Sequence, residues 1–90
     1  MLRDFWMKYK ETEEQLKAWY RETENAQWRS PAALKALYPS ASIIAENRVV
    51  FNIKGNKYRL VVRVNYAYGI VWIRFIGSHH DYSLINVAKI

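Results

Sequence analysis

Apolar residues recur at Leu2, Phe5, Trp6, Tyr9, Leu16, Trp19 and Tyr20, the three- and four-residue spacing of one helical face. Glu11, Glu13, Glu14, Lys17, Arg21 and Glu22 fall on the wet side, so the pattern predicts an amphipathic helix over about residues 2–26. Ser30-Pro31 reads as a helix start, with serine as N-cap and proline at the first helical position. A short helix over 31–38 follows, and Pro39 ends it. From Arg48 onward the period changes to the two-residue alternation of a strand. Val49, Phe51 and Ile53 alternate with Arg48, Asn52 and Lys54. Beyond Gly55-Asn56, Tyr58, Leu60 and Val62 alternate with Lys57, Arg59 and Arg63. Gly-Asn is a hairpin turn in which glycine supplies the positive φ. Closing the chain there sets 53 opposite 58, 51 opposite 60 and 49 opposite 62 on an apolar face. The other face then pairs Lys54 with Lys57, Asn52 with Arg59, and Arg48 with Arg63.

Tyr66–Gly69 reads as a second turn and Ile70–Ile76 as a third strand antiparallel to the second. A four-residue loop sets Val64 opposite Val71, Val62 opposite Ile73 and Leu60 opposite Phe75 on the core side. Arg63 then faces Trp72, and Arg74, facing Val61, joins the basic face by parity. Gly77-Ser78 ends the strand, and His79-His80-Asp81-Tyr82 stands at its mouth. Ser83–Ile90 fits a short helix or a fourth strand equally well. The expected fold class is α+β, with two N-terminal helices packed on one face of a small antiparallel sheet of three to four strands. Residues 1–90 have the length of a single domain.

Charge sharpens this picture. The net +6 is uneven: residues 1–28 carry five Lys/Arg and six Asp/Glu, whereas residues 29–90 carry nine Lys/Arg against Glu46 and Asp81. A basic half on a small domain argues for nucleic acid ahead of an acidic protein or a membrane surface. The absence of cysteine excludes disulfides and thiolate metal sites and suits a reducing cytoplasm. Charges from Arg3 onward argue against a signal peptide, and no apolar run is long enough to span a bilayer.

Like charges facing each other across a sheet repel, so a face of Lys54, Lys57, Arg59, Arg63 and Arg74 with Asn52 invites an anion. For any single lysine a solvated sheet face is the ordinary reading. Arg59 and Arg74 are the stronger phosphate ligands, since a guanidinium grips phosphate through two parallel hydrogen bonds. Histidine is the residue type suited to general acid–base work, which singles out His79 and His80, although a pair of wet loop histidines is the plainer interpretation. With Asp81 they do not make a metal shell, and neither a metal nor a cofactor is expected. Phe5, Trp6, Trp19, Phe51 and Phe75 sit at core spacing. Trp72, Tyr66, Tyr68 and Tyr82 fall near the basic face, where they suit stacking on unpaired bases or, for Trp72, a cation–π contact with Arg63.

Ser30-Pro-Ala-Ala-Leu-Lys-Ala-Leu-Tyr-Pro-Ser40, Val50-Phe-Asn-Ile-Lys-Gly-Asn-Lys-Tyr-Arg-Leu-Val61, Trp72-Ile-Arg74 and Ser78-His-His-Asp-Tyr82 together resemble the HigB toxin family of bacterial toxin–antitoxin modules. The resemblance covers about residues 29–85. It implies a RelE-like fold and an endoribonuclease that cleaves mRNA, typically on the translating ribosome, neutralised by a helix-turn-helix, HigA-like antitoxin. Asn52, Asn56, Arg59, Arg74, His79 and Tyr82 match the family pattern by position. His80 falls at a variable position, and Lys54 has no fixed counterpart. On this reading Arg59, Arg74, His79 and Tyr82 are catalytic, and Asn52, Lys54, Asn56, Lys57, Arg63, Trp72 and His80 contact RNA. A non-catalytic RNA-binding module and a gyrase-directed toxin on the same fold are the competing readings.

Overall fold

The computed structural model describes residues 2–25 and 28–90. The stretch expected as one N-terminal helix forms two, α1 (Leu2–Lys8) and α2 (Glu13–Asn25), separated by a 3-10 turn over Lys10–Thr12. The cause is visible in the sequence: no apolar residue lies between Tyr9 and Leu16, so a continuous helix has nothing to bury there. Thr12 closes the break. It is fully buried, and its hydroxyl and amide both donate to the Tyr9 carbonyl, at 2.7 and 3.0 Å. Ala26, the expected last residue of the single helix, lies outside the described residues. α3 (Pro31–Leu37) starts as expected, with the Ser30 hydroxyl accepting from the Ala33 amide at 3.1 Å. Such a cap is worth about 1 kcal/mol.

Four antiparallel strands follow in the order β1 (Ser42–Ile44), β2 (Arg48–Ile53), β3 (Tyr58–Asn65) and β4 (Ile70–Ser78). The fourth strand is β1, in the segment between Pro39 and the hairpin, and not the tail. Three residues are too few to show an alternation. One face of the sheet receives the helices: Leu16, Trp19 and Leu34 pack with Val49, Phe51, Ile53, Tyr58, Leu60 and Val62. Leu16, Leu34 and Leu60 are completely buried, and cutting Leu60 back to alanine should cost about 2–5 kcal/mol.

The β2–β3 register is the expected one from Arg48↔Arg63 to Ile53↔Tyr58. It stops there. Lys54 and Lys57 are turn residues and not a ladder pair, because Lys54 and Gly55 both take positive φ, 53° and 64°. The β3–β4 register also begins as expected, with Arg63↔Trp72 and Val62↔Ile73. A bulge then intervenes: Val61 pairs with Phe75, Leu60 with Ile76 and Arg59 with Gly77, leaving Arg74 as the extra residue. The expected pairing of Leu60 with Phe75 is therefore wrong, as is that of Arg74 with Val61. Phe75 moves out of the core set to the face of Arg59 and Arg63, and Ile76 takes the core side. The Phe75 ring lies against Gly77, where an added Cβ would meet its Cζ at 2.7 Å.

The second face is also less purely basic than the alternation suggested. Val50 and Val61 pair across it and are only 2% and 0% exposed. The C-terminal segment, α4 (His79–Ser83) and a 3-10 turn over Val87–Lys89, runs from one end of this face to the other. This segment leaves the sheet beside Tyr58, the partner of Ser78, and ends at Arg48, whose Nε donates to the Ile90 carbonyl at 2.9 Å. Arg48 lies at the opposite end of the β2–β3 ladder from Tyr58, so the tail crosses the face diagonally. Neither reading of Ser83–Ile90 captured this strap, and Arg48, buried beneath it, is a structural anchor. No helix among the described residues is long and apolar enough to cross a membrane.

Candidate active site

Arg59 stands mid-row on the open face, between its partners Asn52 on β2 and Gly77 on β4. Asn56 in the preceding turn aims it. One Nη donates to the Asn56 and Tyr58 carbonyls at 3.0 and 3.3 Å, and the other reaches the Asn56 carboxamide oxygen at 3.5 Å. These bonds engage the two Nη atoms and leave Nε without a hydrogen bond among the described residues. The guanidinium lies 5.7 Å from the centre of the Tyr82 ring, and the Tyr82 and His79 rings stack with centroids 6.5 Å apart. Arg59, Tyr82 and His79 thus form one cluster built from a hairpin and a helix that are far apart in sequence.

α4 delivers the two rings for local reasons. Gly77 and Ser78 end β4, and the Ser78 hydroxyl accepts from the Asp81 amide at 3.1 Å as the N-cap of the new helix. The His79 amide donates to the Lys57 carbonyl at 3.0 Å, which fastens the helix start to the β2–β3 turn. His79 and Tyr82, three residues apart, share a helical face. His80 and Asp81 are exposed on the same short helix.

The lysines part company with the arginines. Lys57 pairs with Glu11, its Nζ at 2.8 and 3.0 Å from the two carboxylate oxygens, and the Tyr58 hydroxyl donates to the same carboxylate. The hydrogen bond from Lys57, then that from Tyr58, holds Glu11 below the usual carboxylate range, and Lys57 is raised in turn. Of the five cations expected to invite an anion, Lys57 is therefore taken by a carboxylate of the protein itself. Glu11 was not anticipated because the helical pattern assigned it to solvent; the break at Thr12 brings it to the hairpin. Lys54 is exposed in the turn, its amide donating to the Gln15 side chain at 2.8 Å. The Gln15 amide also donates to the Asn52 carbonyl, at 3.4 Å, so one side chain spans the edge of β2 beyond the short β1. The Asn52 carboxamide donates to the Ser40 carbonyl at 3.5 Å, toward that edge.

Arg63 lies over the Trp72 ring at 5.7 Å, the cation–π contact expected from their pairing. Arg74 is the exposed residue of the bulge. Among the described residues the ion pairs are Lys17–Glu13 and Lys57–Glu11, so no carboxylate neutralises Arg59, Arg63 or Arg74. An arginine braced by carbonyls stands beside a phenol that itself stacks on an imidazole, and guanidinium, phenol and imidazole are the group types that grip phosphate and exchange protons.

A family model described as HigB_toxin, RelE-like toxic component of a toxin-antitoxin system, matches residues 12–85. No curated protein matches the chain. The matched span takes in α2, α3, the whole sheet and α4, and it includes Arg59, Arg74, His79 and Tyr82. With its helices against a four-stranded antiparallel sheet, the chain belongs to the HigB family of RelE-like toxins, the toxic components of toxin–antitoxin systems.

Proposed function

We propose that this toxin is an endoribonuclease that cleaves mRNA, on the translating ribosome, by attack of the RNA's own 2′-hydroxyl. The observation that carries this reading is the Arg59–Tyr82–His79 cluster on a face where no carboxylate among the described residues quenches the guanidiniums. Cleavage of this kind needs alignment, a base, charge stabilisation and an acid. The 2′ oxygen gives its proton to the base and bonds to phosphorus. The bond from phosphorus to the 5′ oxygen breaks, and the acid protonates that leaving oxygen. Arg59, with Arg74 from the bulge, binds the scissile phosphate and stabilises the pentacoordinate state. His79 is the acid or base, and Tyr82 positions it by stacking and bridges it to Arg59. The products are a 2′,3′-cyclic phosphate and a 5′-hydroxyl.

Asn52, Lys54, Arg63, Trp72 and His80 serve RNA affinity in this scheme. Asn56 acts mainly by aiming Arg59, and Lys57 by holding the turn that anchors α4. A toxin of this class has an antitoxin partner; a helix-turn-helix, HigA-like protein is the proposed one, and the cytoplasm the proposed site of action. The test is to induce the protein in cells, map 5′ ends on a reporter mRNA and identify the end chemistry by mass spectrometry. New 5′-hydroxyl ends are expected. Intact messages with DNA-damage signalling would point instead to gyrase, 5′-phosphate ends would exclude this chemistry, and RNA binding without cleavage would leave a binding module.

A further inference from the structure

The far end of the open face carries a polar pocket whose two asparagines the cleavage scheme does not use. A cavity of about 340 Å³ is lined by Asn47, Arg63, Asn65, Tyr66 and Trp72. Arg63 sits four residues along β3 from Arg59, about 13 Å at the usual strand rise. The C-terminal strap crosses between the two ends, tying up Arg48 but leaving Arg63 open to solvent. The pocket's polar groups are in part uncommitted. The Asn65 oxygen accepts from the Tyr68 amide at 3.1 Å, which leaves its NH₂ to donate. The Asn47 side chain has no hydrogen-bond partner among the described residues.

We propose that this pocket is a separate RNA subsite that takes an unpaired nucleobase, stacked on the Trp72–Arg63 pair and read at its edge by the Asn47 and Asn65 carboxamides. The inference rests on the RNA reading above and adds to it a base contact away from the scissile phosphate. An aromatic ring, a guanidinium plane and two carboxamides around one cavity are the combination by which single-stranded bases are held and told apart. A phosphate contact weakens every sequence alike, whereas a base contact weakens one position.

The test is fluorescence anisotropy of the full chain with 2′-O-methyl RNA oligonucleotides, which lack the nucleophile, carrying an abasic residue at each position in turn. With the wild-type protein one position outside the cleavage junction should lose affinity by roughly tenfold or more when its base is removed. Trp72→Ala should make that position indifferent, Trp72→Phe should restore part of the effect, and Asn65→Ala should flatten base preference there. Losses confined to the junction, or a remote loss that persists in Trp72→Ala, would overturn the subsite. Where Trp72→Ala folds poorly, Asn65→Ala carries the assignment, and a wild-type scan with no remote loss overturns the subsite without any variant. A protein that cleaves message but shows no remote base effect removes the subsite alone; one that neither binds nor cleaves RNA removes both proposals.

Discussion

The β2–β3 ladder runs through six pairs without interruption, whereas the β3–β4 ladder slips by one residue at Arg74. The two hairpins share β3 but contribute in different ways. The regular one braces its cation: Arg59 projects from an unbroken strand and is held by the turn that precedes it. The irregular one supplies what a regular sheet lacks, an unpaired exposed arginine, a ring turned onto the open face, and a strand end that becomes α4. The candidate site lies where the rigid hairpin meets the product of the irregular one, joined by the bond from the His79 amide to the Lys57 carbonyl.

The largest expected effect separates the two contributions at their meeting point. His79→Gln should lower single-turnover cleavage by roughly 10²–10⁴-fold, the usual worth of a general acid or base, with little change in RNA affinity. Unchanged cleavage would confine the chemistry to the arginines. Arg59→Ala should cost roughly 10²–10³-fold, as for removal of one donor to a developing oxyanion. If the bulge brings Arg74 to the same phosphate, Arg74→Ala should show a comparable loss and the double variant less than the product of the two. Strictly multiplicative losses in a double-mutant cycle would place the two guanidiniums on different parts of the RNA.

The same contrast explains what could be read in advance. Alternation is a reliable guide wherever a ladder is regular, so 48–53 paired with 58–63 in the expected register and Arg63 met Trp72. A bulge has no signature in alternation, because Ile73-Arg74-Phe75-Ile76 reads as well with one more residue as without. Val50 and Val61 were legible, however: they occupy parity positions of the open face, and two opposed valines there ask for a cover. The break at Thr12 was legible too, in the apolar gap after Tyr9. The position of the strap was not, since it depends on Arg48 reaching a carbonyl some forty residues away. Arg59, His79 and Tyr82 were named from the chain, but their convergence depends on where α4 docks, which no local pattern states.

A stability measurement probes the irregular hairpin alone. Gly77→Ala places a methyl 2.7 Å from the Phe75 ring, which the bulge has turned onto this face. Gly77 is buried beneath that ring, so the clash should cost about 1–3 kcal/mol in chemical denaturation. The same variant combined with Phe75→Leu should recover part of the loss. A Gly77→Ala protein of wild-type stability would mean that Phe75 turns away from the strand without cost, and that the bulge does not constrain the route into α4.

The smallest effect probes the regular hairpin, at the Glu11–Lys57 pair that anchors its turn. The Glu11 carboxyl is held low by the Lys57 hydrogen bond first and the Tyr58 hydroxyl second, against a weaker opposing influence of burial. A carboxyl with a depressed folded value contributes stability that is fully present above the ordinary carboxylate range and disappears as pH falls through the depressed value. Lys57, raised by the same bond, contributes stability that is present below the ordinary lysine value and disappears as pH rises through the raised one. The pair therefore supports the hairpin across the neutral range and fails at both extremes. Both side chains are well exposed, 59% for Lys57 and 43% for Glu11, so solvent and salt screen much of this contribution. Glu11→Gln keeps an acceptor for Tyr58 but removes the charge, so its melting temperature should fall slightly at neutral pH and converge on the wild type in acid. High salt should narrow the neutral-pH difference. Melting curves that stay parallel from acid to neutral pH would show that the turn is held by its backbone alone, and that Lys57 is free to act with the arginines on the open face.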